Sequence, residues 1–282
     1  MACLANLGFG GTGESIPVDP EFDTLAAADA RPGFEALWRH AVLVDRPDSL
    51  LIKRVALTGR LQADAVSFSA NQGDVDEVAW RRARLGISAD FLRNFSILVE
   101  GEYDPNGGSF EERLTDSYVR WSRDPRFVIT AGKHTAKFTL DGATSSKLLV
   151  TTERSNLANN LWYPVEYHTG TSVSGQAGQW IYTVGGFSSS ESSWFGDFDA
   201  GYFALASLGY DFGKLLSLDR ALLRLDYVNN QHDSQNDGTR QLSNVGSLVS
   251  QIENGRWGLW TDLSAANGEA DQPDLLGVQI MP

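Results

Sequence analysis

Residues 55–65 read Val-Ala-Leu-Thr-Gly-Arg-Leu-Gln-Ala-Asp-Ala, and their parity decides the fold. Val55, Leu57, Gly59, Leu61, Ala63 and Ala65 share one face of an extended chain, while Ala56, Thr58, Arg60, Gln62 and Asp64 share the other. Alternation of this kind marks a β-strand, because successive side chains point to opposite faces. One face is apolar and the other strongly polar. The pattern returns at 82–91, where Ala83, Leu85, Ile87, Ala89 and Phe91 alternate with Arg82, Arg84, Gly86, Ser88 and Asp90. It returns again at 95–104, with Phe95, Ile97, Val99, Gly101 and Tyr103 against Ser96, Leu98, Glu100, Glu102 and Asp104.

Working outward gives further strands at 115–122, 127–133, 165–175, 180–187, 202–210, 220–228, 242–252, 256–264 and 275–281, twelve in all. The connectors between them alternate in length. Short ones fall at 90–94, 122–126, 176–179, 211–219 and 253–256, and long ones at 71–79, 104–113, 134–164, 188–200, 229–240 and 265–274. A chain threaded back and forth through a bilayer sorts its loops in this way, with tight turns on the periplasmic side and long loops outside. The expected fold class is therefore all-β, an antiparallel transmembrane β-barrel over residues 53–282. Residues 1–52 show no strand period and read as an irregular or periplasmic lead, with a short helix expected near residues 34–44. The connector 134–164 is far longer than ordinary loops, which is a mark of function. It follows the fifth strand and is placed to fold inward and narrow the lumen.

Composition agrees with this reading. The 282 residues include 28 Gly, 8 Trp, 8 Tyr and 14 Phe but 1 Cys and 2 Met, a balance suited to turns and interfacial aromatic girdles. No run of about 18 apolar residues is present, which excludes a helical span but not a barrel. A net charge of -13 argues against sequence-independent nucleic-acid binding. Cys3 alone cannot form an internal disulfide, and only two residues precede it, so it does not read as a lipidated cysteine. With no secretory signal in view, the N-terminus reads as mature, trimmed or artificially started.

Enzyme signatures are weak. His40, His134, His168 and His232 lack metal-ligand spacing, Gly170-Thr171-Ser172 is followed by Ser174 where a nucleophile elbow needs glycine, and the G-x-G-x-x-G at 8–13 has no βαβ unit after it. Glu100 and Glu102 share a face, but carboxylate chemistry needs a cleft. No enzyme activity and no cofactor or metal are expected. The acids Asp74, Asp76, Glu77, Glu111 and Glu112 read as a solvated outer surface, with divalent-cation bridging to lipopolysaccharide as the alternative.

Three stretches resemble the phosphate-selective porin O and P family of Gram-negative outer membranes. They are Trp80-Arg81-Arg82-Ala83-Arg84-Leu85-Gly86, then Asp116-Ser117-Tyr118-Val119 with Ala131-Gly132-Lys133 leading to Lys137-Phe138, and finally Ala143-Thr144-Ser145-Ser146-Lys147 with Glu153-Arg154-Ser155-Asn156-Leu157. The resemblance implies a 16-stranded homotrimeric barrel in which the third loop forms the constriction and wall arginines guide anions to a Lys/Arg-rich site. It places Ser145, Ser146, Lys147, Arg154, Lys133 and Lys137 at the anion-binding constriction. Arg60, Arg82, Arg84, Arg120 and Arg224 line the pore, already on polar faces by parity. Guanidinium suits this role through its fixed charge and fork of donors.

One departure bears on selectivity. Where phosphate-selective relatives place lysine before A-T-S-S, this chain has Gly142 beside Asp141, and Asp64, Glu100, Glu102, Asp104, Asp116, Asp226 and Asp262 offset the arginines. The expected function is passive diffusion of small hydrophilic solutes with an anion or phosphate preference. The alternative is a non-conducting barrel acting as adhesin or anchor. On this reading Arg154→Ala lowers anion over cation permeability and Gly142→Lys moves the pore toward phosphate. The sequence ends within a strand at 278–282 without a terminal aromatic, and the resemblance asks for about four further strands, so this stretch alone is not expected to close.

Overall fold

The structure is a computed structural model that describes residues 3–11, 41–71, 73–104, 113–145, 149–151, 153–161, 165–192, 194–196 and 198–282. The expected helix at 34–44 and the residues His40, Glu111, Glu112, Ser146 and Lys147 lie wholly or largely outside that set. Two compact units make up the chain, divided between Ser117 and Tyr118. Strand β6 (Arg113–Asp124) contributes to both.

The first unit holds β1 (Cys3–Gly11), β2 (Val42–Asp45), β3 (Ile52–Ala70), β4 (Gly73–Phe91) and β5 (Phe95–Tyr103), all antiparallel. Two expectations change here. Residues 1–52 are not wholly irregular, because β1 pairs with β3 along 59–67 and β2 pairs along 54–56. An unpaired strand edge recruits any backbone that reaches it, so pairing there does not need the alternation by which strands are recognised. Of the long connector expected at 71–79, residues 73–79 are instead strand. The β3–β4 ladder continues to Ala70 opposite Gly73, giving two strands of 19 residues each. A register shift at Gln62/Ala63 leaves Arg81 as the extra residue, and its guanidinium bonds Asp64 at 2.9 Å. Beyond that bulge the side chains of residues 67–69 and 73–78 are exposed on both faces. Nothing there is buried, so the acidic stretch carries no apolar period to betray the strand.

Across β3–β5 the ordinary arrangement of a folded protein is inverted. Leu85 is 57% exposed while its neighbour Arg84 is 6% exposed. Leu57, Leu61, Ile87 and Val99 are likewise exposed, and Thr58, Gln62, Ser88 and Ser96 buried. Val55, Phe95 and Ile97 are half-buried on the apolar face.

The second unit contains β7 (Phe127–Thr135), β8 (Tyr167–Ala177), β9 (Trp180–Ser188), β10 (Tyr202–Asp211), β11 (Arg220–Asn230), β12 (Leu242–Asn254), β13 (Trp257–Gly268) and β14 (Leu275–Met281). From β7 to β14 each strand pairs antiparallel with the next. With β3–β6 these are the twelve strands read from the sequence. The inversion persists, since Leu223 and Leu225 are exposed while Arg224 and Asp226 between them are buried. Tight turns join the strands at one end, as at Gly255, whose φ of 59° suits glycine. Aromatic pairs crowd that end: Trp121 on Phe127 at 6.1 Å and Trp180 on Tyr210 at 4.8 Å, with Trp257 exposed nearby at the β12–β13 turn. Such rings prefer the level of lipid headgroups.

The exposed apolar face therefore reads as lipid-facing. Leu225→Arg, measured by denaturant unfolding from phospholipid vesicles, is expected to lower stability by about 2–4 kcal/mol if the site lies near the bilayer midplane. The same stability in mutant and parent would mean that this face meets water.

Candidate pore constriction

The 31-residue connector read from the sequence joins β7 to β8 and lies on the polar face of the second unit's own strands. Its first limb carries α1 (Leu140–Ala143) and its second α2 (Asn156–Leu161). Two wall carboxylates hold the first limb. Asp226 on β11 accepts the Thr139 N–H at 3.1 Å, and Asp262 on β13 accepts the Leu140 N–H at 2.7 Å. Arg224 donates from Nη2 to the Thr139 carbonyl at 2.8 Å, so the β11 Arg–Asp pair grips both polar groups of that residue. The other carboxylate oxygens are also engaged. Asp226 Oδ1 accepts from Ser207 and from Arg224 Nε, and Asp262 Oδ1 from Ser247 and Ser264. Both carboxylates are fully buried, where such charges persist only when fully bonded.

The grip coincides with strain. Thr139 has φ 63°, an unusual conformation for a β-branched residue. Strain of that kind, of order 1–3 kcal/mol, survives where surrounding contacts over-determine it. Thr139 also caps α1, its hydroxyl accepting the Gly142 N–H at 3.1 Å.

The second limb is fixed differently. Asp141 Oδ2 accepts the Ser155 N–H at 2.8 Å and the Gln279 amide of β14 at 2.9 Å, while Ser155 donates its hydroxyl to Gln279 at 2.8 Å. Arg240 donates twice to the Asn159 carbonyl, at 3.2 and 2.9 Å. Leu157 lies against Gly277, where a Cβ would meet its Cδ1 at 3.0 Å, so β14 gives this approach by carrying no side chain. Beneath both limbs, Phe138 and Leu161 join Phe187, Phe203, Leu205, Val228, Leu242 and Val245 in a buried cluster at the long-connector end. The loop therefore covers apolar side chains that would otherwise stand on a polar face.

The residues expected to meet anions are distributed as follows. In the first unit Arg60 and Arg84 are register partners across β3 and β4, and Arg82 donates to Gln62 at 3.0 Å. Arg84 and Arg113 both bond Glu102, at 3.1 and 2.5 Å, and Arg84 stands 3.9 Å from Glu100. In the second unit Arg120 lies 4.9 Å over the Tyr118 ring and reaches Thr130 at 3.4 Å. Lys133 is buried and donates to the carbonyls of Ser192 and Trp194, the latter at 2.8 Å, tying the β9–β10 connector to β7. Lys137 and Ser145 are half-buried in the first limb, and Gly142 is buried within α1. Arg154 pairs with Glu166 at 2.7 Å. His134 and His168 face each other across β7 and β8, and His134 bonds Ser172 at 2.9 Å. Parity placed Asp226 and Asp262 on the polar face as counter-charges, but gave no sign that they hold the loop. Apolar Phe187, Phe203 and Val228 on polar-face parity were the available signal.

Asp262→Ala leaves the Leu140 N–H and two serine hydroxyls without their acceptor, a loss of about 1–3 kcal/mol per buried group. Hydrogen exchange by mass spectrometry is expected to show faster exchange across 139–145, with the strand peptides unchanged. Equal protection in parent and mutant would show that the carboxylate does not hold the loop.

No curated protein matches the chain. The family model described as phosphate-selective porin O and P matches residues 55–259, from β3 into β13. That span takes in the arginine-bearing strands, the inverted faces, the 134–164 loop and Asp226, and it ends just before Asp262. Polar-faced strands with an apolar exterior are what a protein of the bacterial outer membrane needs. The chain belongs to the phosphate-selective porin O and P family, and it is an outer-membrane porin.

Proposed function

We propose that this porin passes small hydrophilic solutes by diffusion and admits anions, phosphate among them, ahead of cations. The observation that carries the reading is the cluster of Arg60, Arg82 and Arg84 on the polar face of β3 and β4, opposite an exposed apolar face. A cation set on a polar wall backed by hydrocarbon acts through a field that water screens less than at an open surface. Arg120 and Lys137 extend the same role in the second unit, with Ser145, Ser146, Lys147 and Lys133 belonging to the constriction at 134–164. Glu102 draws on both Arg84 and Arg113, which tempers the field and favours passage over capture. A pore has to release what it attracts. Gly142 in place of a lysine, and the net charge of -13, favour a mild anion preference over tight phosphate binding. Assembly as a homotrimer in contact with lipopolysaccharide completes the proposal.

Reversal potentials of the full-length protein in planar bilayers test it, with asymmetric chloride and phosphate salts. Arg82→Ala, at a half-buried arginine that donates to the neutral amide of Gln62, is expected to lower the anion-to-cation permeability ratio roughly fivefold, the equivalent of about 1 kcal/mol between charges some 4 Å apart in a water-like medium. An unchanged ratio would remove the arginine wall from selectivity. Insertion without conductance steps would point to a structural or adhesive barrel.

A further inference from the structure

We infer that Arg154 is a positioning residue, the latch that fixes the shape of the constriction loop together with Glu166, and not a charge that meets the permeating ion. This rests on the loop acting as the constriction. The guanidinium reaches three separate points of the loop. Nε donates to the Asp141 carbonyl at 3.0 Å, and Nη2 donates to Glu166 at 2.7 Å and, more weakly, to the Thr144 carbonyl at 3.4 Å. Asp141 and Thr144 belong to the limb that leaves β7, and Glu166 immediately precedes β8. The contacts therefore join the entry and exit of a long connector at its neck. The backbone of Arg154 is held as well, its carbonyl accepting from Asn159 in α2 at 3.3 Å.

Two physical consequences separate this role from ion contact. A guanidinium paired with a carboxylate presents a dipole, whose field falls more steeply than that of a lone charge. Both side chains are also largely withdrawn from solvent, at 11% and 16% exposure. The geometry uses the planar fork of arginine, because one group satisfies acceptors lying in different directions. Lysine keeps the charge but cannot reproduce the fork. Charge and shape can therefore be tested apart.

Arg154→Lys, Arg154→Ala, Glu166→Gln and the double variant Arg154→Ala/Glu166→Gln are to be compared with the parent in the full-length protein. The latch predicts that the lysine variant resembles the alanine variant, with altered unit conductance and noisier open states. The anion-to-cation ratio is expected to stay within about twofold of the parent, a change worth less than half of one tenfold step of 1.4 kcal/mol. The double variant is expected to match the singles, since either change opens the same neck. Two results would overturn the latch: Arg154→Lys behaving as the parent, or Arg154→Ala and Glu166→Gln moving the ratio in opposite directions. Hydrogen exchange of 140–145 and 153–161 decides independently of conductance. Faster exchange in both single variants is expected, and unchanged exchange refutes the latch even if the parent forms no pore. Absence of conductance in the parent with faster exchange in the variants would instead refute the pore reading and leave the latch standing.

Discussion

A backbone that crosses hydrocarbon finds no water for its N–H and C=O groups, so every one has to be paired by another strand. Antiparallel β-pairing meets that need, and the consequences run through both units of this porin. Once a strand's backbone is committed to its neighbours, its side chains can stand only on the two faces. One face meets lipid, and the polar groups take the other. Leu57, Leu85 and Leu225 lie exposed beside buried Thr58, Arg84 and Asp226 for this reason. In an aqueous protein the same parity would be reversed.

The polar face then becomes the only surface on which a long connector can be held by hydrogen bonds. That is where the 134–164 loop lies in the second unit. Its attachment is part apolar, through Phe138 and Leu161, and part ionic, through Asp226 and Asp262. The two parts do different things. Apolar burial is non-directional and holds the loop down. The carboxylates are directional and fix where α1 begins, at a threonine in a conformation it would not adopt alone. Gly277 and Gln279 of β14 complete the seat, one by close approach and one by hydrogen bonds.

What was legible in the sequence follows from what leaves a period. Each of β3 to β14 was readable at least in part, because a lipid-facing residue has to be apolar and a polar-face one need not be. The tip of the β3–β4 hairpin was not, since Asp74, Asp76 and Glu77 stand exposed whichever way they point. Strands β1 and β2 were missed because an edge is filled by backbone, to which composition is blind. In the loop, Ser145, Lys137 and Arg154 were found by their surroundings in a motif, and their partners were not found at all. Glu166 is brought to Arg154, Gln279 to Asp141 and Ser155, and Asp262 to the Leu140 N–H, by pairing that local reading does not span.

The same limit explains why a count of cations says little about selectivity here. Arg224 and Arg154 look alike as residue types on a polar face or in a long connector. Each lies against a carboxylate, Asp226 and Glu166, and each also donates to loop carbonyls, Thr139 in one case and Asp141 with Thr144 in the other. A guanidinium so placed contributes more to where the loop sits than to the field an ion feels. Arg60 and Arg82, on β3 and β4, are only half-buried, and Arg82 donates to the neutral amide of Gln62. In this porin, arginine therefore does two separable jobs. On β3 and β4 it sets cations on the polar face. In the second unit it holds the long connector against the polar face of the strands.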